Sequence, residues 1–221
     1  MRTGTVWAQL RRYGRLPVFV HLLLVAGMAR ASPDAPLIWA FGDSLTAGYG
    51  LPPAEGFTAQ LQAALRRAGV AATVRNGGVS GDTTAQGRAR LLWGLRGLGA
   101  RPDLVIVELG GNDMLRGLPP EQARANLDAI LVELGRRHIA VLLAGMRAAP
   151  NLGLAYVRDF DGMYPALAAR HKVRLYPFFV AGVAGDRALL QADGLHPNAR
   201  GVRIIVDRLR GPVLGTIASP R

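Results

Sequence analysis

Short, almost wholly apolar runs alternate along the chain with longer stretches in which apolar residues recur every three or four positions. The short runs predict strands at Leu37–Phe41, Ala72–Arg75, Leu104–Leu109, Ile139–Ala144 and Val173–Tyr176. The third and fourth are apolar nearly throughout, as parallel strands covered on both faces should be. The longer stretches predict helices near Gly56–Ala68, Thr83–Arg96, Pro120–Arg137, Leu154–His171 and Asn198–Arg210. The last of these is expected to open at Pro197, because a missing N–H goes unnoticed in the first turn of a helix. Phe160, Tyr164, Leu167 and His171 fall at spacings of four, three and four in one helix and form a stripe suited to core packing. No internal repeat or low-complexity linker interrupts the alternation. It therefore predicts one α/β domain over 32–221, a doubly wound parallel sheet of five strands with helices on both faces. Sheets of that kind carry their chemistry beyond the carboxyl ends of the strands.

Residues 1–31 stand apart from this pattern. Arg2, Arg11, Arg12 and Arg15 form a basic segment, Leu16–Ala29 follows without a formal charge, and Ala29-Arg30-Ala31 is an A-x-A cleavage signal before Ser32. The apolar run is short against the roughly 20 residues that a spanning helix needs. A cleaved signal peptide, and hence a periplasmic or secreted mature protein without stable membrane insertion, is the favoured expectation. An uncleaved N-terminal anchor is the alternative. Arg11-Arg12 matches twin-arginine export poorly.

Loss of the leader changes the charge reading. The chain carries +12, and five of its arginines lie in residues 1–31, which leaves +7. The excess is spread along the chain, and no run resembles a nucleic-acid motif, so a solvated basic surface is favoured over a nucleic-acid partner. There is no cysteine, which excludes disulfides, a thiol nucleophile and thiolate metal sites. Four scattered histidines make no convincing zinc cluster, and no metal is expected.

The polar clusters fall where the doubly wound sheet would place them. After the first strand comes Gly42-Asp43-Ser44-Leu45, in which a small residue ahead of the serine allows a sharp turn that presents Ser44. A hydroxyl is a poor nucleophile without a base in hydrogen-bond reach. Asp193-Gly194-Leu195-His196-Pro197 supplies one, since an aspartate three residues before a histidine can hold Nδ1–H and leave Nε2 for the serine proton. Asn76-Gly77-Gly78-Val79-Ser80-Gly81-Asp82 closes the second strand, and Gly110-Gly111-Asn112-Asp113 the third. Glycine N–H groups and a carboxamide are donors that could face an oxyanion. Each cluster alone reads better as ordinary turn chemistry, and a phosphate loop is excluded by the missing Gly-Lys-Ser/Thr ending.

Their conjunction and order resemble the four sequence blocks of the SGNH/GDSL hydrolase family, over nearly the whole of 32–221. Gly145-Met146-Arg147, Pro150-Asn151-Leu152-Gly153, Tyr156, Phe160 and Tyr164-Pro165 resemble its branch of bacterial acyl-CoA thioesterases, lysophospholipases and arylesterases. The resemblance implies a flavodoxin-like three-layer fold with no cofactor. It also implies Ser44 as nucleophile, Asp193 and His196 as its partners, and the Ser44 N–H, Gly81 N–H and Asn112 side chain as oxyanion donors. Asp43, Asp82 and Asp113 match the family pattern and are read as supporting or turn-forming. The implied activity is hydrolysis of small-molecule or lipid esters through an acyl-serine. A catalytically idle module that binds an acylated ligand is the alternative, and the full set of expected residues argues against it. Leu115, Met146, Leu152 and Leu154 follow the third and fourth strands and could line an acyl groove or simply pack their loops.

Overall fold

The computed structural model describes residues 35–218, and the expected leader lies outside them. Five strands form a single all-parallel sheet: β1 (Leu37–Gly42), β2 (Thr73–Gly78), β3 (Leu104–Glu108), β4 (Ala140–Ala144) and β5 (Arg174–Tyr176). Their spatial order is β2-β1-β3-β4-β5, the flavodoxin-like winding. The α-helices are α1 (Ser44–Ala47), α2 (Phe57–Arg67), α3 (Thr84–Gly97), α4 (Gly111–Leu115), α5 (Pro120–Arg136), α6 (Leu154–His171) and α7 (Ala199–Ile217). Helix α2 packs with α7, α3 with α5, and α5 with α6. The sheet is thereby covered on both faces, and the fold is the three-layer α/β arrangement that the alternation predicts.

Burial explains why the central strands are apolar at nearly every position. Ile38–Phe41 and Leu104–Val107 are at most 2% exposed, and a strand buried on both faces has no solvent side to which polar residues could alternate. The helices close the core with one stripe each. In α5 the stripe is Ala123, Leu127, Ile130, Leu131 and Leu134, and in α7 it is Val202, Ile205, Val206, Leu209 and Val213. Of the stripe expected in α6, Phe160, Tyr164 and Leu167 are buried, while His171 is partly exposed and bonds Asp128 through Nε2 at 2.7 Å.

Three boundaries differ from expectation by more than one residue. Strand β2 continues through Asn76-Gly77-Gly78, because β1 pairs with it residue by residue up to Gly42 opposite Gly78. The two glycines answer close packing: a Cβ at Gly77 would press into the Trp39 indole, and one at Gly78 into the backbone of Ala47 in α1. Helix α7 does not open at Pro197. Its N-cap is Asn198, whose Oδ1 accepts from Arg200 N at 3.0 Å and Gly201 N at 3.1 Å, leaving Pro197 in an isolated antiparallel bridge to Leu190. At its other end α7 runs past Arg210 and through Pro212 to Ile217. The buried stripe continues there in Val213 and Thr216, and Thr216 Oγ1 donates to the Pro212 carbonyl at 2.8 Å, so packing outweighs the proline's missing N–H.

Candidate active site

The strand order determines where the polar clusters converge. Because β1 lies between β2 and β3, the connections leaving β1 and β3 diverge to opposite faces and open a crevice at their carboxyl ends. Gly42 is in register with both Gly78 and Glu108. Ser44, Gly81 and Asn112 all lie within four residues beyond that row, and they line one pocket together with His196.

The serine sits at the first position of α1, whose N-cap is Asp43. Asp43 Oδ1 accepts from Leu45 N at 3.0 Å, and the Asp43 carbonyl accepts from Ala47 N at 2.9 Å. A residue that opens a helix has no intrahelical acceptor for its own N–H, and neither Ser44 N nor Gly81 N donates to any described residue. Both N–H groups therefore lack a partner among the described residues, and both residues line the pocket.

The histidine arrives from the segment after β5. Gln191 holds that segment closed: its backbone N donates to the His196 carbonyl at 2.7 Å, and its side-chain Nε2 donates to Pro197 O at 3.0 Å and to Tyr49 O at 2.7 Å. The last bond ties the histidine segment to the residues that follow the serine. The Tyr49 ring lies 4.5 Å from the His196 ring, centroid to centroid, tilted by 36°. Asp193 Oδ1 accepts from the backbone N of Leu195 at 2.9 Å and of His196 at 3.0 Å, and Oδ2 meets His196 Nδ1 at 2.6 Å. A carboxylate only accepts, so Nδ1 carries the proton and Nε2 is the acceptor for Ser44 Oγ–H, 2.9 Å away. The hydrogen bond from His196 and those from the two backbone N–H groups pull the Asp193 carboxyl down to about 2, so it is anionic at neutral pH.

The donors expected at the ends of β2 and β3 are clamped together. Asn112 Nδ2 donates to Asp82 O at 3.0 Å and to Asp43 Oδ2 at 3.1 Å. Two acceptors around one terminal atom identify it as the nitrogen. The carboxamide is thus already held by the protein rather than free, and Asp43 is its anchor. Asp113 accepts from Thr84 N at 2.8 Å and Thr84 Oγ1 at 2.6 Å, and Arg116 Nη2 donates to Gly81 O at 2.7 Å. Asp82 pairs with Arg90, which also donates to Gly42 O at 2.9 Å. Gly110 enters α4 at φ 117° with Tyr164 Oη against its Cα, so no side chain fits there. The supporting reading of Asp43, Asp82 and Asp113 thereby acquires specific partners.

Beneath the serine lies a buried carboxyl pair that sequence reasoning missed. Glu108, at the end of β3, is fully buried. Its Oε2 accepts from Thr46 Oγ1 at 2.8 Å and from Asp43 N at 3.4 Å, and Oε1 has no partner among the described residues. Burial, and then the neighbouring Asp43 charge, push the Glu108 carboxyl well above the usual range, while burial raises Asp43 to about 6. The available signal was the lone acid in the apolar run Leu104–Leu109. Tyr49 and Gln191 were also missed, and nothing in their spacing sets them apart.

The pocket is a cleft of about 400 Å³ walled by Leu45, Met114, Leu115, Met146, Phe178 and Leu195, among others. Leu115 and Met146 line it as one reading expected. Leu152 and Leu154 do not: Leu152 packs on the core, and Leu154 is 90% exposed. Apolar walls around a few convergent polar groups are the usual form of a small-molecule site. Among the described residues, no group of three His, Cys, Asp or Glu side chains could hold a metal ion, and no helix is long and apolar enough to cross a membrane.

The model of the GDSL-like lipase/acylhydrolase family matches residues 40–204, spanning every one of these segments. The chain belongs to this family. Esterase TesA of Pseudomonas aeruginosa is 43% identical over 156 residues, covering 71% of this chain and 77% of that protein. Thioesterase 1/protease 1/lysophospholipase L1 of Escherichia coli strain K12 is 38% identical over 189 residues, covering 86% and 87%. The crystal structure of AlinE4, an SGNH-hydrolase family esterase, is 51% identical with a TM-score of 0.71 and covers 85% of this chain and 98% of its own. This GDSL-family protein is accordingly a carboxylic ester hydrolase.

The buried pair generates a pH-dependent expectation. Both carboxyls titrate higher in the folded protein than in the unfolded chain, so the folded state retains protons that the unfolded chain has released. The stability contributed by Asp43 is full below about pH 4 and is lost as pH rises through about 6. Glu108→Gln keeps an acceptor for Thr46 and removes one titrating proton. It should flatten the fall of the urea midpoint between pH 4.5 and 7.5, and at pH 7.5 it should leave stability within about 1 kcal/mol of wild type or raise it. Urea titrations at both pH values check this, and an undiminished pH slope would disprove the reading.

Proposed function

We propose that Ser44 is the nucleophile, His196 its general base and then acid, and Asp193 the anion that orients and stabilises the imidazolium. The observation that carries this reading is the continuous hydrogen-bonded chain Asp193–His196–Ser44, with Nε2 2.9 Å from Oγ. His196 takes the Ser44 proton as Oγ bonds to the ester carbonyl carbon. The tetrahedral oxyanion then collapses, the alcohol or thiol leaves with the proton from Nε2, and the acyl-serine forms. Water repeats the attack, gives its proton to His196, and releases the carboxylic acid and a free serine. The free N–H groups of Ser44 and Gly81 are two donors to the oxyanion, and Asn112 Nδ2 is the third. Asn112 reaches the oxyanion by trading its longer bond, the one to Asp43 Oδ2.

The apolar walls favour substrates with an apolar acyl or aryl part: aryl esters, lysophospholipids and acyl thioesters. An idle module that binds an acylated ligand is disfavoured, because it would have no use for a base aligned on a hydroxyl. We also read residues 1–31 as an export leader, with the mature enzyme acting outside the cytoplasm. The protein recovered from an exporting host should begin at Ser32 by N-terminal sequencing, and Met1 retained in a membrane fraction would reverse this reading.

Kinetics on one aryl ester tests the chemistry. Ser44→Ala and His196→Ala should each lower kcat by about three orders of magnitude or more, and the double variant should be little worse than either. A folded Ser44→Ala enzyme with near-normal turnover would remove the mechanism.

Asn112→Ala should lower kcat on the order of 100-fold with little change in KM, because its bond strengthens only as charge develops on the oxygen. Asn112→Asp should be at least as damaging, since it turns a donor into an acceptor facing both the oxyanion and Asp43. Circular dichroism establishes that both variants fold. A folded Asn112→Asp enzyme with most of its kcat would exclude Asn112 from the oxyanion hole.

A further inference from the structure

Among the residues lining the catalytic pocket, the charged side chains besides His196 are Asp43 and Arg147. Asp43 is 2% exposed and lies beneath the serine turn, whereas Arg147 is exposed on the wall. No carboxylate among the described residues pairs with Arg147. The one acid bonded to its segment, Asp161, directs Oδ1 at the backbone N of Ala148, 2.8 Å away.

The position of Arg147 is nevertheless well defined. On one side, Gly145 N donates to Tyr176 O at 2.8 Å and Gly145 O accepts from Phe179 N at 2.8 Å. On the other side, the Ala148–Asp161 bond holds the chain. The guanidinium lies over the ring of Phe178, 5.4 Å from its centroid, and Phe178 is itself a pocket residue. A guanidinium that pairs with no described carboxylate keeps its N–H fork available, and that fork matches two oxygens of a carboxylate or phosphate at once. Apolar surroundings strengthen such a bond relative to open water.

We propose that Arg147 is the seat for an anionic group on the substrate, a carboxylate or a phosphate, so that negatively charged esters are the preferred class for this pocket. This rests on the hydrolase reading of Ser44 given above. It narrows the substrates named there to those that carry an oxyanion within reach of the Phe178 shelf.

Two matched series of esters test it, with each rate divided by that for hydroxide-catalysed hydrolysis of the same compound. One series is phenyl acetates with a para carboxylate, carboxamide or trimethylammonium, which puts the charge on the leaving group. The other is phenyl half-succinate and its succinamide, which puts the charge on the acyl side. The readout is the ratio of kcat/KM for the carboxylate to that for the matching amide. Wild type should show a ratio of about ten in at least one series, Arg147→Gln should bring it below about two, and Arg147→Lys should fall between them. Raising sodium chloride from about 0.02 to about 0.5 M should also shrink the wild-type ratio, which tests the charge without any variant. A ratio near one in both series, or one that survives Arg147→Gln or added salt, overturns the assignment. Brisk hydrolysis without charge preference removes Arg147 alone, whereas a folded wild type idle on every ester removes the hydrolase reading with it.

Discussion

The position of β1 in the sheet is the constraint on which the site depends. Paired in register with β2 on one edge and β3 on the other, β1 brings Gly42, Gly78 and Glu108 into one row across the sheet. From that row three chains leave side by side, and a few residues later they present the Ser44 hydroxyl and N–H, the Gly81 N–H and the Asn112 carboxamide. A register slip of one residue would turn every side chain of a strand to the other face. The doubly buried β1 and β3 resist such a slip because both faces pack against helices. The precision of the site therefore comes from the sheet, although all its polar groups sit beyond the strand ends.

That close convergence has an electrostatic consequence. The serine turn must sit tightly on β3, and the side chain it meets there is a carboxyl. Glu108 is held toward its neutral form by burial and by the neighbouring Asp43 charge, and it accepts from Thr46. Asp43 in turn caps α1 and anchors Asn112. The serine turn and the Asn112 carboxamide thus share one buried acid in the resting site. A neutral hydrogen-bonding residue in place of Asp43 could cap the helix, but it would hold the carboxamide less firmly, because bonds to ionised acceptors are the stronger ones.

Much of this was legible in the chain itself, and the residues that were not share a cause. Ser44, Asp193, His196, Gly81 and Asn112 stand in short polar clusters against apolar strands, and the order of those clusters points to one end of a parallel sheet. Strands and helices fell within a few residues of their observed bounds wherever local pattern and packing agree. They diverged where packing prevails. Gly77 and Gly78 read as a turn, yet they belong to β2 because Trp39 and Ala47 leave no room for a Cβ. The alternation ends the last helix near Arg210, yet α7 continues through Pro212 because Val213 and Thr216 still pack against the core. Leu154 reads as a groove residue but lies in solvent. Glu108, Tyr49 and Gln191 act through partners far away in sequence, and spacing cannot convey such contacts.

The two aspartates nearest the reacting groups illustrate how environment assigns roles to one residue type. Asp43 adjoins Ser44 in sequence, but burial raises it to about 6, and both its oxygens serve Leu45 N and Asn112. Asp193 lies far along the chain, has a 39%-exposed side chain, and is lowered to about 2 by three hydrogen bonds to its charged form. A base that becomes imidazolium during the reaction needs a partner that is anionic before, during and after proton transfer. In the proposed reaction Asp193 meets that requirement chiefly through hydrogen bonding, at little desolvation cost. Asp43, raised to about 6 by burial and already bonded to Leu45 N and Asn112, does not. Carboxyls whose surroundings drive their titration apart divide into structural and proton-handling roles, and here the division runs opposite to proximity in sequence.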